Sequence, residues 1–375
     1  MSDTTEGGSR SLERREESPK ARRVLPLHDS SCAGDYEVLP PTKPDPVGNY
    51  FAGAMMPWPL DDEVNRIPEV DLFGERSEQS LADSFFVPEA PFFPLSVKEL
   101  WHYTDAAGAI GVVTNGEFWA SGLRHLNDSM ELQYGRTLLA EHLEMARLSA
   151  RLHPRQKRRI EGVVGLALEI ANNTPICVLS ASAAPDSLTQ WRTYGGASPH
   201  AIRVDPHEPL ATCTPQPGGE REDESWRAVV YDRDAQELLL RKLLGFIAYA
   251  TPANGEPFDP ASAVDQIQAM SLLRGLIYMK GPEYADEREA RMVFHHDDIA
   301  ALSFRASGYG VTAFLRVSGS AQGWRKRKYP GALPLVGAAV GPIPAREDSA
   351  LALRQMLGAH GYSKAGVFIS ASSYR

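Results

Sequence analysis

The stretch Glu287-Arg288-Glu289-Ala290-Arg291-Met292-Val293-Phe294 places charged side chains at alternate positions. As a strand it carries Glu287, Glu289 and Arg291 on one side. A strand with two carboxylates and a guanidinium on one face has either given that face to solvent or aimed it into a polar cleft. Charged side chains are mostly exposed, which favours the solvated edge when this stretch is taken alone. The rest of the chain sets its context.

Strand-like runs are unevenly spaced: Glu99–Thr104, Phe118–Ser121, Ile176–Ser180, Ala201–Val204 and Ala228–Tyr231 precede the charged stretch. Runs at 311–317, 335–341 and Gly366–Ser370 follow it. Helical signals occur from Thr104, as cap, to Thr114, with Asn115-Gly116 turning the chain afterwards. A second helix opens at Asn127-Asp128-Ser129 and carries Tyr134, Leu138, Leu139, His142 and Met145 at helical spacing. Others are expected at 155–172, 234–250, 261–278 and 347–358. The helices cluster rather than alternating strictly with strands, which predicts an α+β fold with a mixed or antiparallel sheet, not a doubly wound parallel one.

Three segments follow from composition. Residues 1–45 are polar and charged without a sustained apolar period, and read as a disordered tail. Residues 46–95 mix Pro with aromatics, as in Met55-Met56-Pro57-Trp58-Pro59 and Phe85-Phe86-Val87-Pro88. The prolines forbid long regular elements while the aromatics favour burial, so this is expected to be an extended arm across the folded body. Residues 96–375 then form a single α+β domain.

At 375 residues the chain is long enough for an enzyme-sized core. Its net charge of -9 makes nonspecific DNA binding an unfavourable role. Cys32, Cys177 and Cys213 are widely spaced and form no paired motif, which fits a reducing compartment. No apolar run approaches the roughly 20 residues that a membrane helix needs, and Met1–Glu6 lacks a signal-peptide core. The expectation is a cytoplasmic protein with no membrane association, or one exported without a cleaved signal.

Several short motifs carry polar groups. His102 lies mid-strand in Trp101-His102-Tyr103-Thr104, on the face opposite Trp101 and Tyr103. Alone it is most simply a satisfied structural histidine. Asp128 and Glu131 make a near capping box, and Asp186 or Ser187 caps a short helix through Gln190, Trp191 and Tyr194 that Gly195-Gly196 stops. Trp191 and Tyr194, one helical step apart, are expected in the core. Ser180-Ala181-Ser182 ends an apolar strand, where hydroxyls satisfy loose backbone groups. Phosphate-loop, dinucleotide-glycine, His-Glu-x-x-His and Gly-x-Ser-x-Gly motifs are all missing. His295-His296-Asp297-Asp298 has metal-ligand residue types, but neighbours on a strand end point apart, so it reads as a polar turn and no metal is expected.

Taken in order, Trp101–Thr104, Leu126-Asn127-Asp128 with Glu131, Leu179-Ser180, Asp186-Ser187 with Gln190-Trp191, Tyr194-Gly195, Glu287-x-Glu289-x-Arg291, Gly341-Pro342 and Ser370 with Tyr374-Arg375 resemble the bacterial domain-of-unknown-function family 2971. The resemblance covers about 96–375; Ser373 stands where that family commonly has Pro, and Pro206–Asp223 is a long polar insertion. That family is similar to the ADP-ribosyltransferase fold, a split antiparallel sheet with a nicotinamide dinucleotide cleft between its halves. The resemblance implies NAD as the small-molecule partner and an unidentified macromolecular target. It makes Glu289 the carboxylate at the breaking glycosidic bond and His102 the contact to ribose or nicotinamide. Glu287 would orient the acceptor or take its proton, and Arg291 would hold Glu289 ionised or clamp phosphate. Thr104 and Ser180 would bind ribose or amide groups, and Phe118 or Trp119 would stack on nicotinamide.

Two other readings use the same residues. One is a non-catalytic binding module in which the 287–291 charges form an internal salt network. The other is a metal-dependent phosphodiesterase with Asp128, Glu131, Glu287 and Glu289 as oxygen ligands. The enzyme reading requires His102 and Glu289 to face each other across one ligand-sized cleft, and it is undermined if they lie on opposite sides of the sheet.

Overall fold

A computed structural model describes residues 95, 97–125, 131–219, 221, 223–249, 257–307, 310–320 and 331–372. The tail at 1–45 and all of the arm but its last residue lie outside these. So do Asn127, Asp128, Tyr374 and Arg375, together with the side chain of Glu131.

The first strand, β1 (Leu100–Asp105), leads directly into helix α1 (Ala106–Asn115). The cap is Asp105 rather than Thr104: its Oδ1 accepts the Gly108 N–H at 2.7 Å, while Thr104 stays in the strand. Gly116 ends α1 at φ 66°, a conformation that needs no adjustment in glycine. β2 (Phe118–Gly122) follows, then α2 (Glu131–Leu148) and α3 (Pro154–Asn173). α3 starts on Pro154, whose missing N–H costs nothing there, and on a reciprocal cap between His153 and Gln156. On α2, Leu138, Leu139 and His142 face inward, but Met145 is exposed and Ala146 takes the inward position.

β3 (Ile176–Ser182) is apolar along nearly its whole length because both of its faces are covered. α4 (Leu188–Tyr194), β4 (Pro199–Val204) and the short strands β5 (Leu210–Thr212), β6 (Asp223–Glu224) and β7 (Arg227–Ala228) come next. The polar insertion thus supplies a paired strand, β5, whose residues add to the sheet. α5 (Arg233–Tyr249) and α6 (Ala263–Ile277) precede β8 (Glu289–His295), and β9 (Ser303–Ser307), β10 (Gly310–Gly319), β11 (Leu335–Val340), α7 (Arg346–Ala359) and β12 (Gly366–Ile369) complete the chain.

All twelve described strands belong to one sheet, ordered β12-β11-β4-β1-β3-β2-β10-β5-β6, with β8 beside β3, β7 beside β8 and β9 beside β10. Every pairing between these strands is antiparallel except β11 with β12. The molecule is therefore α+β with a mixed, mostly antiparallel sheet. α2, α3, α5 and α6 cover one face through a core that includes Ile160, Leu240 and Leu272. α1 and α7 cover the other, against Phe118, Leu179 and Phe294. Each fully buried side chain of this kind contributes about 1.5–3 kcal/mol. Among the described residues no helix is long and apolar enough to cross a membrane.

β3 creates the feature that matters for a site. β8 pairs with it from Ile176 to Ser182 and so occupies one edge completely. The other edge is divided, with β2 at Cys177–Val178 and β1 at Ser182. Between those contacts β1 and β2 diverge, and the sheet opens.

Candidate functional site

A cleft of about 560 Å³ occupies this opening. His102 and Thr104 from β1, Trp119 and Ser121 from β2, Ser180 from β3 and Glu287, Glu289 and Arg291 from around β8 all line it. Of the described residues that the dinucleotide reading names, only Phe118 does not. It is fully buried in the core and packs edge-on against the His102 ring, centroids 5.1 Å apart. A group without exposed surface cannot stack on a ligand, so Phe118 supports His102 from behind. Trp119 does reach the cleft, with one face stacked on Phe314 at 4.6 Å.

The charged stretch departs from a simple alternating strand. β8 begins at Glu289, and Glu287 ends a 3-10 turn over Pro282–Glu287. Arg288 between them adopts a left-handed conformation, φ 45° and ψ 48°. The loop is pinned to the end of β3: the Ser182 hydroxyl donates to the Glu287 carbonyl at 2.6 Å, and the Ala183 N–H to the Arg288 carbonyl at 2.8 Å. The solvated edge expected of this stretch taken alone is absent, since β8 lies between β3 and β7 and Glu289 and Arg291 are buried.

Burial of these charges is compensated locally. Arg291 grips Glu289 bidentately, Nε to Oε1 and Nη2 to Oε2, each 2.8 Å, and its Nη1 donates to the Ile277 carbonyl at the end of α6. Lys280, itself buried, donates from Nζ to Glu287 Oε2 at 2.6 Å and to Glu289 Oε2 at 3.3 Å. The Tyr231 hydroxyl accepts the Glu289 N–H at 3.0 Å. Two carboxylates and two cations thus neutralise one another within the protein. Desolvation works to raise the Glu289 pKa, but the Arg291 charge and hydrogen bonds, the Lys280 charge and the Ser180 hydroxyl outweigh it and hold it at about 2. Glu289 is ionised at any ordinary pH.

His102 is placed by the gap itself. Alternate residues of a strand direct their backbone groups to the same edge, and β3 exposes the Ser180 carbonyl where β1 and β2 part. His102 Nδ1 lies 2.9 Å from that oxygen. A carbonyl only accepts, so Nδ1 carries the proton, and in the neutral ring Nε2 is an acceptor. Burial lowers the His102 pKa; the Ser180 hydrogen bond opposes this and the Arg305 charge adds to it. Strand parity puts His102 on the α1 side of the sheet and Glu289 on the α6 side, against the expectation that the two face each other; they line the same cleft only because the sheet is open between β1 and β2. Ser180 lies between the two, its carbonyl bonded to His102 and its hydroxyl helping to hold the Glu289 carboxylate ionised.

The neighbouring aromatics are structural. Tyr103 donates to the Ala184 carbonyl at 2.6 Å, accepts the Ser187 N–H at 3.1 Å and packs edge-on against Trp191, which is 2% exposed. Asp186, at φ 53°, accepts from Trp191 Nε1 at 2.8 Å and from the Ser370 hydroxyl, tying the loop after β3 to the end of β12. In the polar turn after β8, His296 is buried, 2.9 Å from the Pro215 carbonyl.

Lys280, Tyr231 and Arg305 were not singled out from sequence. None belongs to a recognisable pattern, and each reaches the site through a tertiary contact. Among the described residues no group of three or more His, Cys, Asp or Glu side chains converges as a metal site, and Glu287 and Glu289 hold cationic side chains instead. No protein-family model, curated protein or solved structure matches the chain.

Proposed function

We propose that this protein is an NAD-consuming enzyme of the ADP-ribosyltransferase type, which transfers ADP-ribose to a protein, a nucleic acid or water. The observation that carries the reading is that His102, Ser180 and Glu289, from three separate strands, all line one cleft where the sheet divides, His102 and Glu289 from its opposite sides. Its volume of about 560 Å³ suits a cofactor-sized ligand, for which pockets run roughly 300–1,000 Å³. The order of short motifs resembling family 2971, and the fold that resemblance implies, support the same reading.

The chemistry asks little covalent work of the protein. The bond from ribose C1′ to nicotinamide breaks, nicotinamide leaves with the bonding pair, and an oxocarbenium-like cation develops. An ionised Glu289 accepts a hydrogen bond from a ribose hydroxyl and places negative charge beside that cation, which is worth roughly a few kcal/mol in a sheltered site. Arg291, fully committed to Glu289, acts by keeping it ionised and aimed rather than by clamping phosphate. His102 offers Nε2 as an acceptor for a ribose or amide donor. The acceptor oxygen attacks C1′ and its proton passes toward Glu287 or solvent, with Lys280 fixing the Glu287 carboxylate.

The self-neutralised Glu287, Glu289, Lys280 and Arg291 cluster, together with the placement of His102 and Glu289 on opposite sides of the sheet, favours a second reading, a binding module in which these charges are purely structural. Purified protein with nicotinamide-labelled dinucleotide separates the two. Wild type should release nicotinamide, and Glu289→Gln should cut release at least about a hundredfold while the chain stays folded. If wild type neither binds dinucleotide nor releases nicotinamide with any target, the enzyme reading fails. Glu289→Gln would then show only a stability loss, toward the roughly 3–5 kcal/mol that a broken buried ion pair costs.

A further inference from the structure

We infer that Arg305 is the phosphate-binding residue of this cleft and receives the pyrophosphate of a dinucleotide or ADP-ribose ligand. The inference rests on the dinucleotide reading above and assigns a part of the ligand that the reading leaves unplaced. A pyrophosphate is doubly anionic, and on a chain of net charge -9 it requires a local cation. Among the described residues two guanidinium groups line the cleft, those of Arg291 and Arg305. All three nitrogens of Arg291 already donate to Glu289 or to the Ile277 carbonyl.

Arg305 differs in every respect. It sits mid-strand on β9, opposite Thr312 of β10, so its Cα is held by a ladder rather than by a loose loop. Its Nη2 donates to the Ser121 hydroxyl at 3.1 Å, and its guanidinium carbon lies 5.7 Å from the Trp119 ring centroid. Both contacts orient the group, and neither neutralises it. No carboxylate among the described residues pairs with it, whereas nearby Arg316 pairs with Glu117. Its positive charge is felt at His102, so its field reaches the opening in the sheet. A planar fork that is aimed, exposed and without a counter-ion is suited to bidentate contact with phosphate. Trp119 beside it provides an aromatic surface on which the same ligand can rest an aromatic ring.

Calorimetric titration of the full chain with ADP-ribose, which carries the pyrophosphate, and with nicotinamide, which does not, tests this. Arg305→Gln should weaken ADP-ribose binding about tenfold or more, leave nicotinamide binding unchanged and flatten the salt dependence; Arg305→Lys should restore part of the loss. Unchanged ADP-ribose affinity in Arg305→Gln would overturn the assignment and leave the cleft reading standing. Equal loss of both ligands would also overturn it, because Arg305 would then be shaping the cleft wall. A wild-type protein that binds neither ligand would remove the dinucleotide reading and this inference with it.

Discussion

Arg288 is the residue on which the shape of the site turns. Had it kept β geometry, Glu287 would have continued the strand; its left-handed conformation folds Glu287 back so that both carboxylates reach the one Lys280 ammonium. Side chains with a Cβ occupy this region at a cost of about 1–2 kcal/mol, which persists when surrounding contacts over-determine it. Here the Ser182 and Ala183 hydrogen bonds to Glu287 and Arg288 do so. Arg288→Gly should therefore unfold within about 1 kcal/mol of wild type, while β-branched Arg288→Val should lose about 1–2 kcal/mol. Urea denaturation of the two variants checks the difference. Gly and Val behaving alike would mean that the conformation stores no strain.

At the scale of an element, α1 forms one wall of the cleft through Gly108 and Gly111. Helix propensity favours Ala over Gly by about 1 kcal/mol at either position. The two sites differ in what a methyl group would meet. At Gly108 it would run into the Thr104 hydroxyl, which also lines the cleft, and at Gly111 it would meet open space. Gly111→Ala should thus gain about 0.5–1 kcal/mol in thermal or urea unfolding. Gly108→Ala should gain nothing and weaken dinucleotide binding by displacing Thr104. A stabilised, fully binding Gly108→Ala protein would show that the Thr104 position is unimportant. The strand β3 makes the complementary contribution: by sharing one edge between β1 and β2 it leaves the Ser180 carbonyl for His102 to cap.

For the molecule as a whole, the buried charges set the response to acid. Glu289 falls from an ordinary 4.5 to about 2 on folding, so the unfolded chain binds the proton more readily. The stability this contributes is complete above pH 4.5 and disappears as pH drops toward 2, amounting to about 3 kcal/mol. His102 is also lowered, from 6.5, so its contribution is present above that value and is lost as pH falls through its folded pKa. Both act in the same direction, and stability should fall on acidification in two stages. Glu289→Gln should flatten the lower stage alone when unfolding free energy is followed from pH 7 to pH 2, and a parallel profile would contradict the role of Glu289.

The α+β class, the helices α3 and α7, the strand β3 and the stop at Gly116 were legible because periodicity and capping are local properties of the chain. The alternation at 287–291 likewise announced a polar face. Alternation has the same form whether charges meet water or buried counter-ions, however, and the chain does not mark which. Lys280, the left-handed Arg288, the divided edge of β3 and the inward turn of Phe118 all depend on groups brought together from distant segments. Sequence by itself determined which elements form, and only the order of short motifs made His102, Ser180, Glu289 and Arg291 candidates. Only tertiary structure decided that they share one opening in the sheet, that Arg291 is committed to Glu289 and that Arg305 is left facing the cleft, because desolvation and ion pairing are properties of three-dimensional neighbours.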